Sequence, residues 1–107
     1  GMNLITGATG MLGTHIMIEL LKRGESVRAL RRSQSDIAMV SRVFDFYQSP
    51  HFSNIEWVEG DVLDMHSLID AMAGCSRVFH CAAIVSYHPD DRQTFDRKIS
   101  APRFRDL

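Results

Sequence analysis

Thr6-Gly7-Ala8-Thr9-Gly10-Met11-Leu12-Gly13 sets three glycines at even spacing between two apolar segments. Met2 to Ile5 precedes the motif, and Met11 to Leu21 continues it with helical periodicity. A strand, a glycine turn and a helix in that order form the phosphate-binding start of a βαβ unit. Each glycine has its own reason. Gly7 can take backbone angles that a side chain would block. Gly10 lacks a Cβ, so the backbone can approach a pyrophosphate, and Gly13 lets helix and strand pack closely. The N–H groups and the positive dipole end of the helix then meet the phosphates. The candidate phosphate-binding positions are Gly7, Thr9, Gly10, Met11 and Leu12.

A dinucleotide site of this kind usually carries an acidic residue roughly 20 positions after the glycines, where it binds the adenosine ribose. This chain has Leu30-Arg31-Arg32-Ser33 there. Arginine supplies fixed positive charge and forked donors, which a 2′-phosphate needs and a carboxylate would repel. Arg31 and Arg32 therefore favour NADP over NAD. The alternative is that they are a solvated turn.

The elements that position these residues follow from periodicity and punctuation. Met2–Thr6 reads as a first strand and Met11–Arg23 as a helix, with Leu12, Ile16 and Leu20 on one face and Gly24 as its stop. Ser26–Leu30 reads as a second strand. Ser33 and Asp36 have capping-box spacing and open a helix to about Tyr47, with Ile37, Val40, Val43, Phe44 and Tyr47 as its apolar stripe and Pro50 as its end. Ile55–Glu59 reads as a third strand. Asp64 caps a short helix carrying Leu68, Ile69 and Met72, which Gly74 stops, and Arg77–Ala82 reads as a fourth strand. Alternating strands and helices imply an α/β, Rossmann-like, doubly wound parallel sheet of about four strands. Right-handed crossovers give it the order 3-2-1-4.

The T-G-x-x-G-x-x-G spacing resembles the short-chain dehydrogenase/reductase superfamily. T-G-A-T-G-M-L-G is similar to its extended branch: NAD(P)-dependent epimerases and dehydratases, and the dihydroflavonol-reductase-like enzymes. The resemblance implies further roles. Asp61 of Gly60-Asp61-Val62 matches the family's acid that accepts from the adenine amine, and Val62 matches the apolar neighbour that donates its backbone N–H. The alternative for Asp61 is a surface carboxylate at a strand end. Phe79-His80-Cys81-Ala82-Ala83 resembles the segment whose small residues, here Cys81, Ala82 and Ala83, let the backbone lie along the cofactor. Read from its own surroundings, Cys81 is a small buried hydrophobe rather than a nucleophile or metal ligand. His80 reads as a core histidine satisfied by a backbone group. The five histidines are scattered, with no H-x-x-x-H or C-x-x-C pair, so no metal site is expected.

The family's chemistry needs Y-x-x-x-K. Tyr47 is followed four residues on by His51, and Tyr87 by Asp91, so neither tyrosine matches. The resemblance covers roughly residues 2–96 and fades in 97–107, an atypical basic tail with Arg97, Lys98, Arg103 and Arg105 and a helix-disfavouring Pro102. A truncated or frame-shifted copy of a longer enzyme is favoured over a complete product with an altered end.

The 107 residues suffice for a single domain with one core, and their net charge of −1 gives no general pull toward nucleic acid or membrane. No apolar run approaches the ~20 residues of a membrane span, and no basic-then-apolar leader is present. The tail lacks the aromatic interleaving of a nucleic-acid arm. Cys75, in an apparent loop, and Cys81, in an apparent strand, suit reduced thiols and a cytoplasmic location. The expectation is an NADP(H)- or NAD(H)-binding part of an extended reductase, epimerase or dehydratase, inactive by itself for want of the Tyr-Lys pair. The rival is a non-catalytic NADP-sensing module or an inert fragment. A fourth strand left as an edge would favour self-association. The substrate is not legible.

Overall fold

The structure is a computed structural model, described here over residues 1–32 and 37–81. Four parallel strands, β1 (Met2–Thr6), β2 (Ser26–Arg31), β3 (Glu56–Glu59) and β4 (Cys75–His80), form one sheet in the order β3-β2-β1-β4. The crossovers are α1 (Met11–Lys22), α2 (Ile37–Phe46) with a short 3-10 turn at Phe52–Asn54, and α3 (Met65–Met72). The expected class and strand order are those observed. No helix among the described residues is long and apolar enough to cross a membrane.

Alternation along the strands divides the apolar side chains between two faces. Ile5, Val27, Ala29 and Phe79 join Ile16, Met17, Leu20 and Leu21 of α1 and Val40 and Phe44 of α2 in the larger core. Leu4 and Leu30 point the other way and meet Ala71 of α3, with Val58, Val62, Leu68 and Val78 around them.

Helix ends explain where the expected boundaries hold and where they move. At the end of α1, Gly24 takes φ +82°; its N–H reaches Leu21 O, and Glu25 N–H reaches Leu20 O. This is the left-handed glycine stop that the sequence indicates. The second helix closes in the same way but without glycine. Gln48 takes φ +57°, its N–H bonds to Asp45 O, and Ser49 N–H bonds to Phe44 O. The helix therefore ends at Phe46, ahead of Pro50, and Tyr47 is exposed rather than part of the buried stripe. Its capping residues Ser33 and Asp36 lie outside the described residues. Asp64 caps α3 as expected, accepting from His66 N–H and from the Ser67 hydroxyl. Ile69 and Met72 are exposed, however, and Ala71 is the buried residue of that helix.

The fourth strand spans Cys75–His80 rather than Arg77–Ala82. Its register against β1 shifts between Met2↔Cys75 and Asn3↔Arg77, so Ser76 is an extra residue on this strand. Such an irregularity breaks the inward–outward alternation that marks a strand in sequence. Cys75 therefore belongs to the strand, not to a loop, and Cys81 follows the strand rather than lying in it.

Candidate functional site

The chain leaves β1 toward β2 on one side of the sheet, while β4 pairs on the other side. The carboxyl end of β1 is thus the topological switch point, where open α/β sheets place their ligands. Thr6 and His80 end the two neighbouring strands, and Thr6 Oγ1 lies 2.8 Å from His80 Nδ1. One ring nitrogen of His80 thus meets a side-chain hydroxyl, where the sequence suggested a backbone group.

The glycine turn starts beside this pair. Gly7 has φ +66° and its carbonyl accepts from Gly10 N–H at 3.1 Å. Gly10, in extended conformation, precedes α1 and supplies no side-chain cap. A Cβ at Gly13 would fall 2.3 Å from Gly7 O and 2.9 Å from Ala8 Cα, so the helix can sit this close to the turn only through glycine. Among the described residues, a Cβ at Gly10 would meet only Gly7 O, at 3.4 Å, an ordinary contact. The two positions are therefore constrained differently. Gly13 is closed by the protein itself, whereas the side of Gly10 is open to an incoming group.

Sequence reasoning missed Thr14. Its buried hydroxyl lies 3.0 Å from Ala8 O and 2.8 Å from Gly10 O, where it can donate to either carbonyl and tie the turn to the first coil of α1. The available signal was a threonine four residues after Gly10, since Thr readily bonds back to the i−4 carbonyl. Thr9, Met11 and Leu12 complete the rim of the turn, with Met11 exposed and Leu12 partly packed on the larger core.

The second part of the site lies at the ends of β2 and β3. Arg31 pairs in register with Glu59, and Gly60 N–H extends the ladder to Arg31 O at 2.8 Å. A Cβ at Gly60 would come within 2.8 Å of the Leu30 Cδ1, so a side chain there would make the tip of Leu30 shift. The next residue, Asp61, folds over its own turn. Its Oδ1 accepts from Leu63 N–H at 2.9 Å and its carbonyl from Asp64 N–H at 2.9 Å. Its Oδ2 faces Arg32 Nε at 3.8 Å, with side-chain exposures of 40% and 70% respectively. Val62 packs against the smaller core.

Cys81 is 3% exposed, and burial pushes its thiol up to about 11. It is a small buried group there, with little nucleophilic character at neutral pH. Ala82 and Ala83 lie outside the described residues. Among the described residues, no three His, Cys, Asp or Glu side chains come together as a metal ion would need.

Comparison with known proteins gives a family and several relatives. The model of the NAD dependent epimerase/dehydratase family matches residues 3–99. The chain is 41% identical over 101 residues to sterol demethylase protein B of Methylococcus capsulatus, covering 94% of this chain and 28% of that protein. It is 31% identical over 91 residues to dihydroflavonol 4-reductase of Zea mays, covering 85% of this chain and 25% of that one. Among solved structures it is similar to a short-chain dehydrogenase/reductase superfamily protein from Agrobacterium tumefaciens with bound NAD. That match has a TM-score of 0.54 and 28% identity, and covers 90% of this chain and 24% of the other. The chain spans about a quarter of the length of the curated relatives it matches.

Proposed function

The chain belongs to the NAD dependent epimerase/dehydratase family, and we propose that it forms the dinucleotide-binding part of an extended short-chain reductase, epimerase or dehydratase, with NADP preferred to NAD. The observation that carries this reading is the glycine turn at the switch point, closed at Gly13 and open at Gly10. Gly7, Thr9, Gly10, Met11 and Leu12 hold the pyrophosphate through backbone N–H groups and the start of α1. Arg31 and Arg32 take the 2′-phosphate, Asp61 and Val62 the adenine, and Cys81, Ala82 and Ala83 flank the cofactor. The bound NAD of the Agrobacterium neighbour supports a nicotinamide dinucleotide as the ligand. Once bound, the nicotinamide supplies the hydride donor or acceptor. The Tyr-Lys pair that would exchange the substrate's proton has no match in these 107 residues, so the chain by itself should turn nothing over.

Titration of NADP into the chain, with NAD and adenosine diphosphate as comparators, tests the reading. Saturable binding in the order NADP above NAD is expected. Absence of binding for all three would leave an inert fragment and reject the assignment. The free thiols of Cys75 and Cys81 suit a reducing compartment such as the cytoplasm. The outer side of β4 pairs with no other described strand, and Val78-Phe79-His80 carries no Pro or Lys to block pairing. Self-association through this edge is therefore part of the proposal, and sedimentation across a concentration series should show mass rising with concentration. A single monomeric species throughout would reject it.

A further inference from the structure

Arg32 and Asp61 stand 29 positions apart in sequence, yet the sheet brings their charges to 3.8 Å. The sheet fixes where the two residues leave the backbone, and the turn fixes the Asp61 carboxylate. Arg31 and Glu59 are register partners, the ladder continues through Gly60 N–H to Arg31 O, and the Leu63 N–H holds Asp61 Oδ1. Oδ2 is left pointing at the guanidinium. We propose that Asp61 sets the discrimination between NADP and NAD by holding Arg32 in an ion pair that a 2′-phosphate must displace. The inference rests on the dinucleotide reading above, with the adenosine lying across the ends of β2 and β3.

Two effects act in the same direction. Asp61 competes with the 2′-phosphate for Arg32, and its negative charge also repels that phosphate directly. NAD carries a hydroxyl at that position and meets neither penalty. The contact of Asp61 with adenine is common to both cofactors, so it cancels in the ratio of their affinities. Asp61 is thus a counterweight to Arg32. With it the site accepts NADP without excluding NAD; without it the site should become more strictly NADP-selective.

The test is calorimetric titration of the chain and of Asp61→Asn with NADP and with NAD. Asn keeps an oxygen for the Leu63 N–H, so the turn should survive while the charge is lost. The NADP-to-NAD affinity ratio should rise about three- to tenfold, the range expected for one screened charge near a phosphate. The rise should shrink at high salt, as a purely structural change would not. Arg32→Ala should lower the ratio more in the Asp61→Asn background than in the parent chain, because Asp61 then no longer competes with the phosphate for Arg32. An unchanged or lowered ratio in Asp61→Asn, with binding intact, would overturn this inference alone. Failure of the parent chain to bind either dinucleotide would overturn the assignment of the site as well.

Discussion

The two ends of the parallel sheet are built on different terms. At the amino end, one side chain ties three strands together. Asn3 of β1 is fully buried. Its amide donates to Glu25 Oε1 and to Ser26 O at the start of β2, and its oxygen accepts from Arg77 Nε of β4 at 2.9 Å. Arg77 also reaches Glu25 at 3.3 Å. At the carboxyl end, Arg32 and Asp61 are substantially exposed and face one another across 3.8 Å, and the glycine turn leaves the side of Gly10 open. Polar groups at the first end are matched within the chain. At the second they stand where, on the proposed reading, an external phosphate and base would meet them. The difference separates residues that hold the sheet from residues held by it.

Substitutions at the second and third glycines of the turn should split these roles most strongly. Gly13→Val would drive a side chain into Gly7 O and Ala8. It should abolish dinucleotide binding and also lower stability by about 1–3 kcal/mol or more, as overpacking does. At Gly10 an added Cβ meets only an ordinary contact among the described residues. Gly10→Val should abolish binding while thermal unfolding changes little. Equal unfolding temperatures for both variants would contradict this split, and retained affinity in Gly10→Val would show that the turn is structural only.

The arginines come next in size. Changing Arg31 and Arg32 together to Ala should cost NADP binding about 1.5–3 kcal/mol, the worth of a charge-assisted hydrogen bond, and NAD binding far less. Equal losses for both cofactors would reject the 2′-phosphate assignment. At the opposite end, Asn3→Ala should destabilise the fold by about 1–3 kcal/mol, since buried polar partners lose their match, while the affinity of the folded chain stays unchanged. The Asn3 amide, with Arg77 behind it, holds the Glu25 carboxyl below its usual value of 4.5. A depressed folded pKa means that this contribution is present above the unfolded pKa and is lost as pH falls through the folded one. Denaturant titrations between pH 6 and 3, a window of roughly the carboxylate range, should show a weaker acid dependence in Asn3→Ala than in the parent chain.

Much of this architecture is legible because local signals and long-range pairing agree. The first strand, the glycine turn and α1 are marked by apolar runs and by glycines whose stereochemical reasons are local. The start of β4 was missed because the extra residue at Ser76 disrupts alternation, and the left-handed turn that closes α2 because Gln48 takes a conformation usually given to glycine. Residues 33–36 and 82–107 lie outside the described structure, and with them Ala82, Ala83 and the basic tail. Within the site, Gly7, Gly10 and Gly13 could be assigned from spacing. The Arg32–Asp61 pair and the Asn3–Glu25–Arg77 network could not, since each joins positions far apart in sequence through strand register. Thr14 was within reach, but its role depends on two carbonyls that only the folded turn brings together.

The central claim is that the carboxyl end of the sheet, not its amino end, receives a dinucleotide. Amide chemical-shift mapping of the isotopically labelled chain during an NADP titration tests it most directly. Saturable shifts should concentrate at Gly7 to Gly13, Arg31, Arg32, Asp61 and Val62, with Asn3, Glu25 and Arg77 nearly unmoved. Shifts centred on Asn3, Glu25 and Arg77, or no saturable shifts at the glycine turn, would contradict the account.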